Sequence, residues 1–186
     1  MNTKAIINNL SPQEALTLLK NLAENDPQLA KRIAQMAHEH IREVDSQDVA
    51  ADVYSDLDAL QVEDVWDQAG STRHGYVETQ EVADEMIHNV LAPYTGDLER
   101  YKMLNMPQEA LAVCMGILEG LYLFETESTN EFKDWAVDIP QSYADTTLQL
   151  WYSKEFATEL VALQSFIDTN LPRWRRNLKS ILASKK

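Results

Sequence analysis

The chain has 186 residues, with 30 acidic against 16 basic side chains for a formal charge of −14, and 45% of its residues are hydrophobic. That is long enough to bury a core without a metal or cross-link, and the single cysteine, Cys114, excludes an internal disulfide. Nucleic-acid binding depends on a basic surface that displaces counterions, so the charge argues against nucleic acid as a partner of the body of the protein.

Residues 11–25 open on Ser11-Pro12-Gln13-Glu14, a capping box with Ser at the N-cap and Glu three residues on. Leu16, Leu19 and Leu22 follow on one side of the predicted helix. Asp26-Pro27 starts a second helix with a stripe of Leu29, Ile33, Met36, Ala37, Ile41 and Val44. The short connection predicts an antiparallel hairpin.

Ser46 is expected to cap a helix bearing Val49, Val53, Leu57 and Leu60. The span 48–67 holds seven acidic residues and no basic one, a solvated face or a docking surface for something basic. A short helix over 62–69 stops at Gly70, and Ser71-Thr72-Arg73-His74-Gly75 reads as a surface loop. No segment shows the alternation of a strand.

Thr79 is expected to cap a long helix with Val82, Met86, Val90 and Leu91 on its stripe, kinked or broken at Pro93. After the turn at Asn105, residues 106–125, MPQEALAVCMGILEGLYLFE, form the hub. Apolar residues point nearly all round this helix, which is the pattern of one buried by several neighbours. Gly116 and Gly120 are four apart and share a face. Each costs ~1 kcal/mol against Ala, and close approach of another helix would offset that cost.

Residues 125–138 are polar, with Phe132 and Trp135 pinning them to the body. Pro140 opens a helical region through Ile167, one long helix or two broken near Ser153. Pro172 begins the last helix, with Trp174, Leu178, Ile181 and Leu182 on one side. Residues 171–186 hold six basic and no acidic residues, which leaves ten basic against thirty acidic over 1–170. The fold class is therefore all-α: seven to nine helices in antiparallel hairpins around a buried central helix at about 107–125. We expect one domain over 1–186, with its core at 11–168 and a basic amphipathic C-terminal helix at 172–184.

Chemistry-bearing patterns are few. Glu85 and His88 have the spacing of a metal-binding helix pair, but no second such pair exists to complete a di-metal bundle. His38 and His40 lie two apart and point in different directions on a helix. The acidic span 48–67 lacks the glycine of a calcium loop. No phosphate-binding glycine loop or nucleophile–base pair is present, so no cofactor, metal or catalytic residue is assigned. Arg73, His74 and Tyr76 combine a cation, an imidazole and a phenol beside Gly75, and are the candidate binding site for a small or anionic ligand. Arg173, Trp174, Arg175, Arg176 and Lys179 are candidate interaction residues. The C-terminal helix is expected to dock on an acidic face of its own chain or of a twin.

Three stretches carry a family resemblance. They are 64–70 with Gly75-Tyr76-Val77; Leu91-Ala92-Pro93-Tyr94 with Asp97-Leu98; and Ala110 through Gly116-Ile117-Leu118-Glu119-Gly120-Leu121-Tyr122. Over roughly residues 10–125 the chain resembles a helical region of SWIM zinc-finger proteins. The zinc module itself, Cys-x-Cys followed by Cys-x-His, is missing here, so zinc and its DNA-binding role do not carry over. What the resemblance implies is a tetratricopeptide-like scaffold of helical hairpins that binds other proteins.

Taken together, we expect a non-enzymatic helical scaffold that contacts a protein partner or itself, as in a homodimer. The alternatives are a ligand-binding module at residues 73–76 and, more weakly, a nucleic-acid-associated regulator acting through the C-terminal helix. No apolar run reaches the ~18 residues of a membrane span, and residues 1–10 lack a signal peptide's continuous apolar stretch, so a cytoplasmic location is expected.

Overall fold

The computed structural model describes residues 7–41, 44–72 and 75–184. Among them are nine α-helices, two short 3-10 helices and one two-stranded hairpin. The protein is all-α. The chain divides into two compact units, residues 1–43 and residues 44–186.

The first unit is a pair of helices, α1 (Pro12–Asn25) and α2 (Pro27–Ile41). Ser11 Oγ accepts from Glu14 N at 3.3 Å while Ser11 N donates to Glu14 Oε2 at 2.9 Å, so the capping box forms as the sequence dictates. Those bonds also hold the exposed Glu14 carboxyl below its ordinary range. Asp26 links the helices and its Oδ1 accepts from Gln28 N and Leu29 N at 2.9 and 3.1 Å.

The second unit contains α3 (Ser46–Asp58), α4 (Val62–Gln68), β1 (Gly70–Thr72), β2 (Gly75–Val77), α5 (Thr79–Met103), α6 (Pro107–Glu127), α7 (Ile139–Trp151), α8 (Leu160–Asn170) and α9 (Arg175–Ser184). The central helix α6 packs against α3, α5, α7 and α8. Its Val113, Cys114, Ile117, Leu118, Leu121 and Phe124 are buried. Burial pushes the Cys114 thiol up, so it behaves as a small hydrophobe.

The glycine face of α6 meets α3. A Cβ on Gly116 would lie 2.5 Å from Cβ of Val49, and one on Gly120 would lie 2.6 Å from Cβ of Val53. The paired positions rise together along both helices, so α3 and α6 run parallel. Consistent with that, both C-termini meet the segment after α6. Asn130 Nδ2 donates to the carbonyls of Asp58 and Leu60 at 2.7 and 2.8 Å, satisfying carbonyls at the end of α3. The same side chain's Oδ1 accepts from Phe132 N and starts the 3-10 turn Glu131–Trp135.

Several local expectations shift. The N-cap of α3 is Asp45, whose Oδ1 accepts from Gln47 N at 2.7 Å, and Ser46 is already helical. Likewise Glu78, not Thr79, precedes α5. Pro93 does not end α5, which continues to Met103. Ile87, Leu91 and Leu98 are fully buried on both sides of Pro93, and that tertiary packing outweighs the local cost of proline. The glycine-flanked segment read as a loop instead pairs as a hairpin, Gly70 opposite Val77 and Thr72 opposite Gly75. Gly70 and Gly75 have φ of 107° and 134°, a region that L side chains rarely adopt. The buried side chains among the described residues run from Ala50 to Leu182.

Candidate functional site

Of the ligand site expected at 73–76, Arg73 and His74 lie outside the described residues. Tyr76 sits in β2 opposite Ser71 and is 67% exposed. Glu85 and His88 are exposed on α5, and the His88 ring contacts Tyr143 at 6.3 Å. His38 and His40 fall on α2, and nothing is described of their side chains. Among the described residues no three His, Cys, Asp or Glu side chains are grouped to hold a metal ion. Among the described residues no helix is long and apolar enough to cross a membrane.

The C-terminal residues are brought together, but largely turned inward. Trp174 is buried, stacked edge-on against Tyr122 at 5.2 Å, and its Nε1 donates to the Glu125 carboxylate at 3.2 Å. Burial raises the Glu125 carboxyl above its ordinary 4.5, against the opposite pull of the Trp174 N–H and Arg173. Leu178 and Leu182 are fully buried, and α9 packs on α7 and α8 of its own chain. Lys179 Nζ reaches Asp168 at 2.7 Å, and Asn177 Nδ2 donates to Asp145 at 2.7 Å. The basic helix is therefore docked within the chain. Of the expected interaction set Arg173, Arg175 and Arg176 are exposed, Lys179 is half-exposed in its pair with Asp168, and Trp174 is a core residue.

Two features stand out that the sequence reading did not single out. The first is the surface of the N-terminal pair. None of the described residues of α1 and α2 is buried. Leu16 is 53% exposed, Leu19 46%, Leu22 45% and Met36 65%. Leu19, Ile33, Met36 and Ala37 line a groove of about 680 Å³, with Glu39 at its edge. The stripes that mark these helices as amphipathic are the same stripes left on the surface. In the sequence they look like any core-facing stripe.

The second lies where α7 ends. Lys102 Nζ donates to the carbonyl of Leu150 and holds the last turn of that helix. Trp151 is 1% exposed, yet its indole Nε1 has no hydrogen-bond partner among the described residues. A buried donor left unsatisfied costs about 1–3 kcal/mol.

Comparison with protein-family models, with curated proteins and with solved structures finds no match to this chain.

Proposed function

We infer that the protein is a non-enzymatic helical scaffold that self-associates through its N-terminal hairpin. One observation carries this reading: four large apolar side chains, Leu16, Leu19, Leu22 and Met36, lie about half or more exposed on a two-helix unit with no buried residue among those described. A hairpin paired with a copy of itself about a two-fold axis covers both stripes at once, as a four-helix arrangement. Burying the exposed half of each such side chain is worth roughly 1 kcal/mol.

Charge favours a twin at this surface. Residues 1–43 hold five basic and five acidic residues, whereas residues 44–186 hold eleven against twenty-five. Copies meeting through the second unit bring together two surfaces of −14. Copies meeting through the hairpin pair two neutral ones. The resemblance to scaffolds of helical hairpins supports the same reading. For the nucleic-acid alternative, the described residues of the C-terminal helix offer three exposed arginines and Lys179, which is paired with Asp168.

The test is solution mass by light scattering across protein concentration, at low and high salt. The wild-type chain should be a dimer that persists at high salt, because an apolar contact is not screened. Leu19→Asp and Met36→Asp should each give a monomer, with melting of the second unit unchanged. A wild-type monomer at every concentration, or a dimer indifferent to both substitutions, refutes the reading.

A further inference from the structure

The short helix α4 and the 3-10 turn Glu131–Trp135 contact each other, and each is anchored by residues other than its tryptophan. Val62 and Val65 of α4 are buried, as are Phe132 in the turn and Ala136 just after it. Phe132 therefore pins the segment, whereas Trp135, expected to do so with it, is 39% exposed. Trp66 on α4 is 53% exposed. The two rings meet edge-on, with centroids 6.3 Å apart and planes at 82°. Val137, two residues beyond Trp135, is exposed as well. Paired indoles left on a surface are a large apolar area, and such patches mark surfaces of contact.

The surroundings select the partner. Residues 62–68 and 131–138 hold six carboxylates against one ammonium. Glu63, Asp64, Asp67, Glu131, Asp134 and Asp138 are all exposed, and Glu63 lies three residues before Trp66, on the same side of the helix. The one cation, Lys133, is turned back, its Nζ donating to the carbonyl of Ser128 at 2.6 Å. A twin meeting this face through the same residues would set carboxylates against carboxylates, and a nucleic acid or an anionic membrane would be repelled. A cation is attracted by the carboxylates and by the faces of the indoles alike. One such contact at an exposed ring is too weak to hold a lone amine against the cost of association, so several cations must arrive on one chain.

We propose that the Trp66–Trp135 face docks a basic peptide segment of a partner protein, with arginine or lysine side chains lying against the indoles and the surrounding carboxylates balancing their charge. The face belongs to the second unit, and the proposal stands whether or not the N-terminal hairpin self-associates.

The full-length protein, labelled with nitrogen-15, is titrated with a capped peptide of four Arg-Gly repeats, with four Glu-Gly repeats as the oppositely charged control. Spectra of Trp66→Phe and Trp135→Phe assign the two indole N–H resonances, and the buried Trp151 and Trp174 serve as internal references. The arginine peptide should move the Trp66 and Trp135 resonances saturably and leave the buried pair in place. The glutamate peptide should move none. Trp66→Gln alters an exposed residue and should weaken binding roughly tenfold. Glu63→Gln combined with Asp67→Asn should weaken it roughly fivefold. Asp48→Asn combined with Asp52→Asn removes the same charge from the N-terminal half of α3, whose other end meets Asn130. It should change binding by less than about twofold, because distant surface charges are screened by salt. The proposal is overturned if the arginine peptide leaves both resonances unmoved or if the glutamate peptide moves them equally. It is also overturned if the two carboxylate pairs matter equally, since the binding is then a diffuse attraction to net charge. Trp66 and Trp135 resonances that move with protein concentration alone would put a twin on this face and overturn it too.

Discussion

Replacing Gly120 by alanine puts a methyl carbon 2.6 Å from Cβ of Val53 and 2.8 Å from the carbonyl oxygen of Ala50. Carbon atoms in good contact lie ~3.5–4.0 Å apart, so α3 and α6 must separate by about 1 Å. No rotamer change relieves the contact, because one clashing atom is a Cβ and the other is backbone. Overpacking of this kind costs about 1–3 kcal/mol, and contact with a rigid helix sets it near the upper end. Alanine returns ~1 kcal/mol through helix propensity. The net loss is about 2 kcal/mol, a fall in Tm of roughly 4–8 °C for a domain of this size. Gly116→Ala meets the same geometry at Val49 and Ser46 and should behave alike. Gly96 supplies the control, since a Cβ there meets nothing within 4 Å. Gly96→Ala should raise Tm by roughly 2–4 °C. Thermal melts followed by circular dichroism read all three. If Gly120→Ala melts at or above the wild-type temperature, the close parallel packing of α3 on α6 is wrong.

Two further outcomes follow from the C-terminal helix. Burial raises the Glu125 carboxyl, so the folded state holds its proton more tightly than the unfolded state does. Its ionisation therefore opposes folding as pH rises from the ordinary 4.5 through the raised folded value, and the penalty is complete above that value. Glu125→Gln keeps an acceptor for Trp174 and should raise Tm at pH 7, with the gain vanishing below pH ~4. A gain that persists in acid would refute this cause. Deleting residues 172–186 removes Trp174, Leu178 and Leu182, all buried. At roughly 1.5–3 kcal/mol each, the loss rivals the whole stability of a typical domain. The shortened chain should lose its cooperative melt, whereas an unchanged melt would make α9 an appendage.

Local rules were legible wherever the determinants are local. Ser11 and Glu14 announce their own capping box, and Pro107 its helix start. Gly116 and Gly120 betray a close neighbour because a buried helix carries such residues at a cost. The misreadings fall where distant parts of the chain decide. Asp45 and Ser46 are both good caps, and nothing in their spacing chooses between them; the structure uses Asp45. Pro93 is held inside α5 by core residues on either side of it. Strands of three residues are too short to display alternation, so the pairing of Gly70 with Val77 left no periodic trace. Glu119, which interrupts the apolar hub, receives Asn170 Nδ2 at 3.2 Å, a partner 51 residues away. The Trp151 donor is less legible still. In the sequence it is one more apolar residue on a helix, and its missing acceptor exists only in three dimensions.

The two units treat the same sequence pattern in opposite ways, and this ties stability to assembly. In the second unit each amphipathic stripe finds cover, even that of the strongly basic α9. In the first, α1 and α2 carry stripes of similar spacing with no buried residue among those described. Isolated helices of 14 and 15 residues are marginal in water, because propagation barely repays nucleation. A pair without a core adds little to that. The surface that would bind a twin is thus the surface that would hold the hairpin folded, and anything binding only the folded form stabilises it by mass action. Hydrogen exchange should show this directly. Amides of 12–41 should gain protection as protein concentration rises, while those of α3 and α6 stay unchanged. Equal protection at all concentrations would mean that the hairpin is stable without a twin, and would separate its folding from any assembly it supports.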